Sequence, residues 1–191
     1  MRVKSFKKKS RSDWLNLFEI AYEDKAGGDR SWQLASRRQT PRCISGDFDI
    51  PDAVVIVPYH FSSGKLVLIK EYRVPLADYQ YGFPAGLIDP GETIESAVER
   101  ELREETGLTL ERVKRIGPPI YSSPGMSDES ICMVYVECDG TPSNEANEGT
   151  EDISVIMVSK TEAAALLNVK DVKFDAKAWL TLSAYVQSGS F

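Results

Sequence analysis

Residues 86–108 read GLIDPGETIESAVERELREETGL, and the second half of this segment predicts an amphipathic helix. Three aliphatic residues recur every four positions and form one apolar stripe: Ile94, Val98 and Leu102. Gly107 follows at the place where helices commonly end with a residue in the left-handed conformation. We therefore expect a helix over residues 93–106 whose apolar stripe packs against a β-sheet.

Three carboxylates share one face of the predicted helix, beside the apolar stripe: Glu101, Glu104 and Glu105. At about 100° per residue, they fall within an arc of about 100°. Like charges at such spacings disfavour a helix by about 0.2–0.5 kcal/mol per pair unless a cation lies among them. A hard divalent cation such as Mg²⁺ prefers oxygen ligands and could bind here. The alternative is a solvated acidic face that Arg100 and Arg103 balance.

The composition is that of an ordinary globular protein with an acidic balance. The 191 residues include 29 Asp and Glu, 23 Lys and Arg and a single histidine, for a formal net charge of −6. One histidine excludes metal sites built from several histidines, and it leaves only His60 as a base for a Ser or Cys nucleophile. We therefore expect carboxylates to carry the chemistry. No apolar run approaches the roughly 18 residues of a membrane span, so no membrane partner is expected.

Neither the N-terminus nor the cysteines point to export. Residues 1–13, MRVKSFKKKSRSD, carry basic side chains without the apolar stretch of a secretory signal. A short charge run is usually a solvated tail, although it could also contact nucleic acid or an anionic surface. We expect a flexible tail and no nucleic-acid partner. The three cysteines have neither CxxC spacing nor the density of a disulfide framework, which favours reduced thiols and a cytoplasmic location.

Strand-like and helix-like runs are intermixed along the rest of the chain. Residues 14–35 read as two short strands joined by the turn DKAGGDR. Apolar and β-branched runs predict further strands over residues 53–59, 65–72, 131–138 and 153–158. Helices are expected over residues 160–167 and 175–186. This order predicts an α+β protein with a sheet core flanked by helices.

The spacing within residues 86–108 is far more specific than an acidic helix alone. The fixed positions of the Nudix box hold the required residues: Gly86, Glu92, Arg100, Glu101, Glu104, Glu105 and Gly107. In this segment, and in the order of strands and helices around it, the chain resembles the Nudix hydrolases. The resemblance implies an α/β/α sandwich with a mixed sheet, a divalent metal ion and hydrolysis of a nucleoside diphosphate linked to another group. It implies a Nudix hydrolase domain at residues 46–191, preceded by a β-hairpin subdomain at residues 14–45.

The resemblance also assigns roles to the box residues. The metal ligands are expected to be the backbone carbonyl of Ala85 and the carboxylates of Glu101, Glu104 and Glu105. Mg²⁺ is the expected ion, and Mn²⁺ is an alternative. Arg100 is expected to orient the glutamates by ion pairing, and Glu104 to join the catalytic group as an additional or more distant carboxylate. Glu101 has a rival role, because the matching residue is proposed as the base in some members.

Outside the box, the chain looks most like the ADP-ribose or ADP-sugar pyrophosphatase branch. Pro124, in YSSPGMSDE, stands where that branch has its marker proline, and EYRVPL precedes the box as in those enzymes. Trp14 and Trp32 resemble a pair that sandwiches adenine, one from each subunit of a homodimer. Arg37 and Arg73 are then candidates for contact with the adenosine or the phosphates. Without the resemblance, the tryptophans would read as strand packing and the arginines as surface charges.

Members of this branch place a base, or one more metal ligand, in the loop before the last strand of the sheet. Glu151 is the first choice, because it directly precedes the predicted strand, and Glu148 is the second. Glu145 and Asp152 also lie in this loop, which could equally be a plain solvated loop. Tyr81, Gly82 and Phe83 stand where many relatives have an acidic residue, so the preferred sugar stays open.

These patterns favour an Mg²⁺-dependent hydrolase that splits ADP-ribose, or a related ADP-sugar, into AMP and ribose 5-phosphate. We expect a homodimer acting on a small nucleotide sugar. One alternative is a pyrophosphatase for another nucleotide sugar, such as GDP-mannose. The other is a non-catalytic Nudix module that binds ADP-ribose, which the intact box glutamates disfavour.

Overall fold

The computed structural model describes residues 1–145, 149 and 151–188. The chain divides into two compact units. Unit 1 comprises Met1–Asp52 and Pro118–Cys132, and unit 2 comprises Ala53–Gly117 and Met133–Phe191. The boundary that we predicted after residue 45 falls inside unit 1. The reason is that the buried side chain of Arg42 donates hydrogen bonds to the carbonyls of Asp47 and Ile50, which keeps these residues with the N-terminal unit.

Unit 1 contains a three-stranded antiparallel sheet with the strand order β1-β2-β3. Its elements are β1 (Arg2–Lys8), β2 (Asn16–Glu23), β3 (Asp29–Ser36) and the short helix α1 (Arg42–Ser45). The predicted N-terminal hairpin is confirmed as β2 and β3.

Residues 2–8 are not part of the flexible tail that their charge predicted, because they form strand β1. This strand pairs with β2 along most of its length. Its cations find acidic partners on the neighbouring strands. Lys4 lies 3.3 Å from Glu23 and also contacts Asp29. In the sequence, residues 2–8 look like a solvated arm. In the structure they form a strand whose basic side chains pair with acidic side chains of the same sheet.

One face of this sheet carries the core of unit 1, which consists of Phe18, Ile20 and Leu34. The strand register places Phe18 opposite Leu34 and Ile20 opposite Trp32. Directly opposite residues point to the same face of a sheet, so Trp32 lies on the apolar face. Trp32 is nevertheless 50% exposed, and it therefore borders this core rather than completing it.

A mixed eight-stranded sheet forms the core of unit 2. Its main order is β11-β6-β5-β4-β9-β8, with β10 paired to β5 and β7 paired to β4. The pair β11 and β6 is parallel, whereas β10 and β5 are antiparallel. The division between the units falls within β8 and β9. The strands are β4 (Ala53–His60), β5 (Lys65–Arg73), β6 (Asp78–Gly82), β7 (Ala85–Leu87), β8 (Thr109–Tyr121), β9 (Ser130–Asp139), β10 (Ile153–Val158) and β11 (Lys173–Phe174).

Three helices belong to unit 2: α2 (Ile94–Thr106), α3 (Lys160–Leu166) and α4 (Ala176–Ser188). The hydroxyl of Thr93 caps α2 by accepting a hydrogen bond from the Ser96 N–H, and Gly107 ends the helix with φ 70°. Of the predicted apolar stripe, Val98 and Leu102 are fully buried, whereas Ile94 at the start of the helix is half-buried. None of the helices in the described residues is long and apolar enough to cross a membrane.

The long strand β8 is the main element that the sequence did not predict. Most of its residues are exposed or half-buried, so it lacks the apolar run that marks β4 and β5. It also contains Pro118 and Pro119, which normally interrupt a ladder of hydrogen bonds. β8 stands last in the strand order, where proline is better tolerated because an edge strand pairs with a neighbour on one side only.

Replacing Gly107 by alanine is expected to destabilise the protein more than replacing Gly91. Both glycines have positive φ, at 70° and 86°, where an L side chain costs about 1–2 kcal/mol. A Cβ atom at Gly91 would meet open space, whereas at Gly107 it would lie 2.8 Å from the Cβ of Ser143. Urea unfolding of Gly107→Ala, with Gly91→Ala as the matched control, measures the difference. Equal losses in the two variants would contradict a role for the Ser143 contact.

Candidate active site

Strand β7 and helix α2 together position the acidic side chains. β7 pairs with β4, with Gly86 opposite Val54, and α2 packs against both strands. A Cβ atom added at Gly86 would lie 1.7 Å from Oε1 of Glu101. Only glycine therefore lets the Glu101 carboxylate lie against the backbone of β7. This close approach is a physical reason for the glycine that opens the box.

The guanidinium of Arg100 donates hydrogen bonds to three carboxylates of the box. Its Nε and Nη2 each donate to Glu92 at 3.0 Å, which is a bidentate ion pair. Its Nη1 donates to Glu101 at 2.6 Å and to Glu104 at 3.3 Å, and Nη2 also donates to the Leu87 carbonyl at 2.9 Å. The hydrogen bonds from Arg100 lower the pKa of Glu92 to about 2, and the same pairing raises the pKa of Arg100. Arg100 thus ties the helix to β7 and to the segment between them.

Glu105 is the most deeply buried carboxylate of the helix, with 5% of its surface exposed. The Ala85 N–H donates to its Oε2 at 3.0 Å. Among the described residues, no Lys, Arg or His lies within ion-pairing distance of this carboxylate. Burial raises the pKa of Glu105 to about 9. The hydrogen bond from Ala85 lowers this pKa, and the charge of Glu101 raises it further. Burial also raises the pKa of Glu101, although Arg100 opposes the rise.

The side chains of the box are oxygen donors of the kind that a hard divalent cation binds, but they do not surround a cation site in this structure. In the described part of the chain, no three His, Cys, Asp or Glu side chains form a ready metal site. The guanidinium of Arg100 occupies the space between Glu101 and Glu104. Oε1 of the buried Glu105, however, has no hydrogen-bond donor among the described residues. A buried carboxylate is costly without a compensating charge, and oxygen donors of this kind suit Mg²⁺ or Mn²⁺.

Glu71 is an acidic neighbour of the box that sequence reasoning missed. It lies on β5, where the register places it opposite Ile153 of β10 and Gln80 of β6. Its charge adds to the effect of burial on the pKa of Glu105, so it lies within electrostatic range of α2. The sequence feature that could have indicated this residue is its position as a carboxylate near the end of the apolar run KLVLIKEY. Nη1 of Arg73 donates to Glu71 at 2.5 Å, so the arginine that we expect to contact the adenosine or the phosphates lies beside Glu71.

The loop before β10 contributes Glu151, which is half-buried. Its charge acts on the pKa values of both Glu101 and Glu105, after the larger effect of burial, so the first-choice base lies near the box carboxylates. Asp152 is engaged elsewhere, because its carboxylate accepts a hydrogen bond from the Tyr79 hydroxyl at 2.5 Å. Glu148, the second choice, lies outside the described residues.

The remaining predicted substrate residues belong to unit 1. Trp32 and Pro124 line a cavity of about 510 Å³ on this unit, together with Arg42, Cys43, Phe48, Tyr121, Ser127, Asp128 and residues of β1 to β3. Trp14 is 74% exposed and Arg37 forms an ion pair with Glu129 at 2.7 Å, and neither lines the cavity. The structure of one chain therefore brings Trp32 and Pro124 together and leaves Trp14 apart from them.

The site is thus a carboxylate-bearing helix that an arginine joins to a glycine-containing strand of a mixed sheet, with oxygen donors of the kind that a hard divalent cation prefers. Residues 49–180 match the NUDIX domain, so the chain belongs to the Nudix hydrolase family. Nudix hydrolases generally need a divalent metal ion.

Three relatives show which members of the family the chain is similar to. It is 33% identical to an ADP-ribose pyrophosphatase of Saccharomyces cerevisiae over 93% of this chain and 79% of the relative. It is 29% identical to the ADP-sugar pyrophosphatase of Mus musculus over 93% of this chain and 80% of the relative. A crystal structure of an ADP compounds hydrolase covers 98% of this chain and 94% of its own, with a TM-score of 0.74 and 25% identity. These likenesses confirm the predicted family, its ADP-ribose and ADP-sugar branch and the α+β fold.

Gly86→Ala is expected to remove most hydrolase activity without unfolding the protein. The new Cβ would displace the Glu101 carboxylate, which can move because it is the end of a flexible side chain. A displacement of about 1 Å at a catalytic group can lower kcat by about 100-fold. Gly82→Ala is the matched control, since its nearest neighbour would be Ile69 Cγ1 at 4.0 Å. Steady-state kinetics and thermal melting of both variants provide the check, and full activity of Gly86→Ala would contradict the contact.

Proposed function

We propose that the protein hydrolyses the diphosphate of ADP-ribose, or of a related ADP-sugar, with Mg²⁺. From ADP-ribose the products are AMP and ribose 5-phosphate. The observation that carries the proposal is the pair of buried carboxylates, Glu101 and Glu105, held on the box helix by Arg100 and the Ala85 N–H. The likeness to the yeast ADP-ribose pyrophosphatase over most of the chain supports the choice of substrate.

The proposed ligands of the metal ion are the carboxylates of Glu101 and Glu105 and the carbonyl of Ala85, with Glu104 as a further carboxylate. When bound, Mg²⁺ supplies charge neutralisation for the diphosphate and a water molecule of lowered pKa. Arg100 keeps Glu101 against β7 through its short hydrogen bond. Mn²⁺ is the alternative ion, because the same oxygen ligands suit it.

Glu151 is the proposed base that accepts a proton from the attacking water. Its charge acts on the pKa values of both buried glutamates, which supports a position near them. Glu148 stays the second candidate, and Glu101 is the rival within the box. Arg73 is 51% exposed and pairs with Glu71 through one nitrogen, which leaves other N–H donors of the guanidinium for a phosphate oxygen.

The proposed contact for the adenine base is Trp32, beside Pro124. Trp32 lies on the rim of an apolar core with half its surface exposed, as a stacking platform requires. Trp14 is still more exposed, and we propose that a second copy of the chain brings it to the base in a homodimer. Arg37 is the proposed contact for the adenosine, although its Nε is paired with Glu129.

A substrate panel tests the proposed function. The wild-type protein is expected to show its highest kcat/KM with ADP-ribose among ADP-ribose, ADP-glucose and GDP-mannose, and to release AMP and ribose 5-phosphate. Glu105→Gln is expected to lose about 100-fold or more in kcat, because a neutral amide binds a divalent cation poorly. Glu99→Gln, on an exposed position of the same helix, is the control and should keep full activity.

The outcomes of this panel separate the candidate functions. Preference for GDP-mannose would favour the alternative function, a pyrophosphatase for another nucleotide sugar. This alternative stays open because Tyr81, Gly82 and Phe83 stand where many relatives have an acidic residue. Calorimetric binding of ADP-ribose without any AMP release would support the non-catalytic module. Equal turnover by Glu105→Gln and wild type at limiting Mg²⁺ would overturn the metal assignment.

Trp32→Ala is expected to raise KM for ADP-ribose by about tenfold and to leave kcat nearly unchanged. A stacked aromatic side chain contributes about 1–3 kcal/mol per base, and stacking acts on binding rather than on the reacting phosphorus. Trp179→Ala is the control, since Trp179 is comparably exposed but lies on α4 in unit 2. Steady-state kinetics decide the matter, and an unchanged KM in Trp32→Ala would remove this residue from the substrate site.

A further inference from the structure

A fully buried arginine, Arg42, joins two separate segments of unit 1. Its side chain has no exposed surface. Nη1 donates to the Asp47 carbonyl, and Nη2 donates to the Ile50 carbonyl at 2.7 Å. Nε donates to the Asp128 carbonyl at 3.1 Å, and Nη2 also reaches the Ser130 hydroxyl at 2.8 Å. One guanidinium thus holds residues 47–50 and residues 128–130 together.

The charge of Arg42 is balanced within the same cluster. Asp52 lies 2.9 Å from Nη2 of Arg42 and also accepts a hydrogen bond from the Ser130 N–H at 2.9 Å. The backbone N–H of Arg42 donates to the Asp128 carboxylate at 2.8 Å. The planar fork of arginine can serve several acceptors in fixed directions, whereas the single ammonium of lysine cannot span the same set.

The two joined segments are also two walls of the cavity that contains Trp32. One wall contains Pro124, Ser127 and Asp128, of which Asp128 is held by Arg42; the other contains Cys43 and Phe48, of which Phe48 lies within residues 47–50. β3 is fixed to the wall that contains Asp128 by the Ala35 N–H, which donates to the Met126 carbonyl at 2.8 Å. The positions of these walls relative to each other therefore depend on the hydrogen bonds of Arg42.

We propose that Arg42 is a positioning residue for nucleotide recognition, because it fixes the spacing of the two cavity walls beside Trp32. The inference rests on the proposed function, in which this cavity receives the adenosine half of the substrate. Arg42 touches no reacting atom. Loss of its fork should therefore weaken binding of the nucleotide half and leave the chemical step intact.

Arg38 provides a matched control, because it belongs to the same cluster. It pairs with Asp47 and lies 3.0 Å from Asp52. It makes no hydrogen bond to residues 128–130 within the described part of the chain, and it does not line the cavity. A substitution at Arg38 therefore disturbs Asp52, which Arg42 also contacts, without separating the two walls.

The test compares Arg42→Lys with Arg38→Lys by three measurements: steady-state kinetics with ADP-ribose, calorimetric affinity for AMP and thermal melting. Arg42→Lys is expected to raise KM and the Kd for AMP by about tenfold, since several buried hydrogen bonds that pre-organise the site are lost. Its kcat should stay within about threefold of wild type, since the box is untouched. Arg38→Lys should change KM and the Kd for AMP by less than about twofold, because lysine keeps the positive charge beside Asp47 and Asp52 and Arg38 does not line the cavity.

If Arg42→Lys does not fold, Ser130→Ala replaces it, because this change removes one acceptor of Arg42 and keeps Asp52. A smaller rise in the Kd for AMP, without loss of kcat, is then expected. Unchanged affinity for AMP, equal shifts in the Arg42 and Arg38 variants, or a fall in kcat alone would overturn the proposal. Wild-type protein that leaves ADP-ribose intact would refute the proposed function separately, because the AMP affinities of the variants can still be compared.

Discussion

The hydrogen bonds of Arg100 are the constraint on which the box depends. Three carboxylates, on Glu92, Glu101 and Glu104, would repel one another at these spacings, and the guanidinium between them reverses the sign of the interaction. The fourth partner, the carbonyl of Leu87, belongs to β7, so the same group also fixes the helix to the sheet. The acidic helix is stable because the positive charge of Arg100 offsets the repulsion among these carboxylates.

Burial of Glu101 and Glu105 shows how stability and function oppose each other in this site. Carboxylates that are 8% and 5% exposed cost free energy, and the Ala85 N–H offsets only part of that cost for Glu105. Gly86 permits the closest approach, since any side chain there would occupy the position of the Glu101 carboxylate. A cluster that favours an added cation in this way is poorly suited to a purely structural role, which supports the catalytic interpretation.

Local patterns in the sequence predicted the elements that have a strong local signal. The helix α2 and the strands β4, β5, β9 and β10 follow from apolar periodicity, and their positions agree closely with the structure. Strand β1 was missed because its basic side chains look like a solvated tail in the sequence, whereas its order comes with pairing to β2. Strand β8 was missed because an exposed edge strand has no apolar signature. Glu71 was missed for a similar reason: its place beside the box is set by pairing with β6 and β10, which no short motif records.

The same distinction separates Arg100 from Arg42. The partners of Arg100 all lie within residues 87–104, so one short motif contains the whole network and the network can be predicted from sequence. Arg42 finds Asp128 and Ser130 across more than eighty intervening residues, and no spacing rule reports that contact. Chemistry at the box can therefore be recognised from residue order alone. The cavity proposed for the nucleotide half is formed where distant segments meet, so the choice of substrate is less readable from sequence than the reaction class.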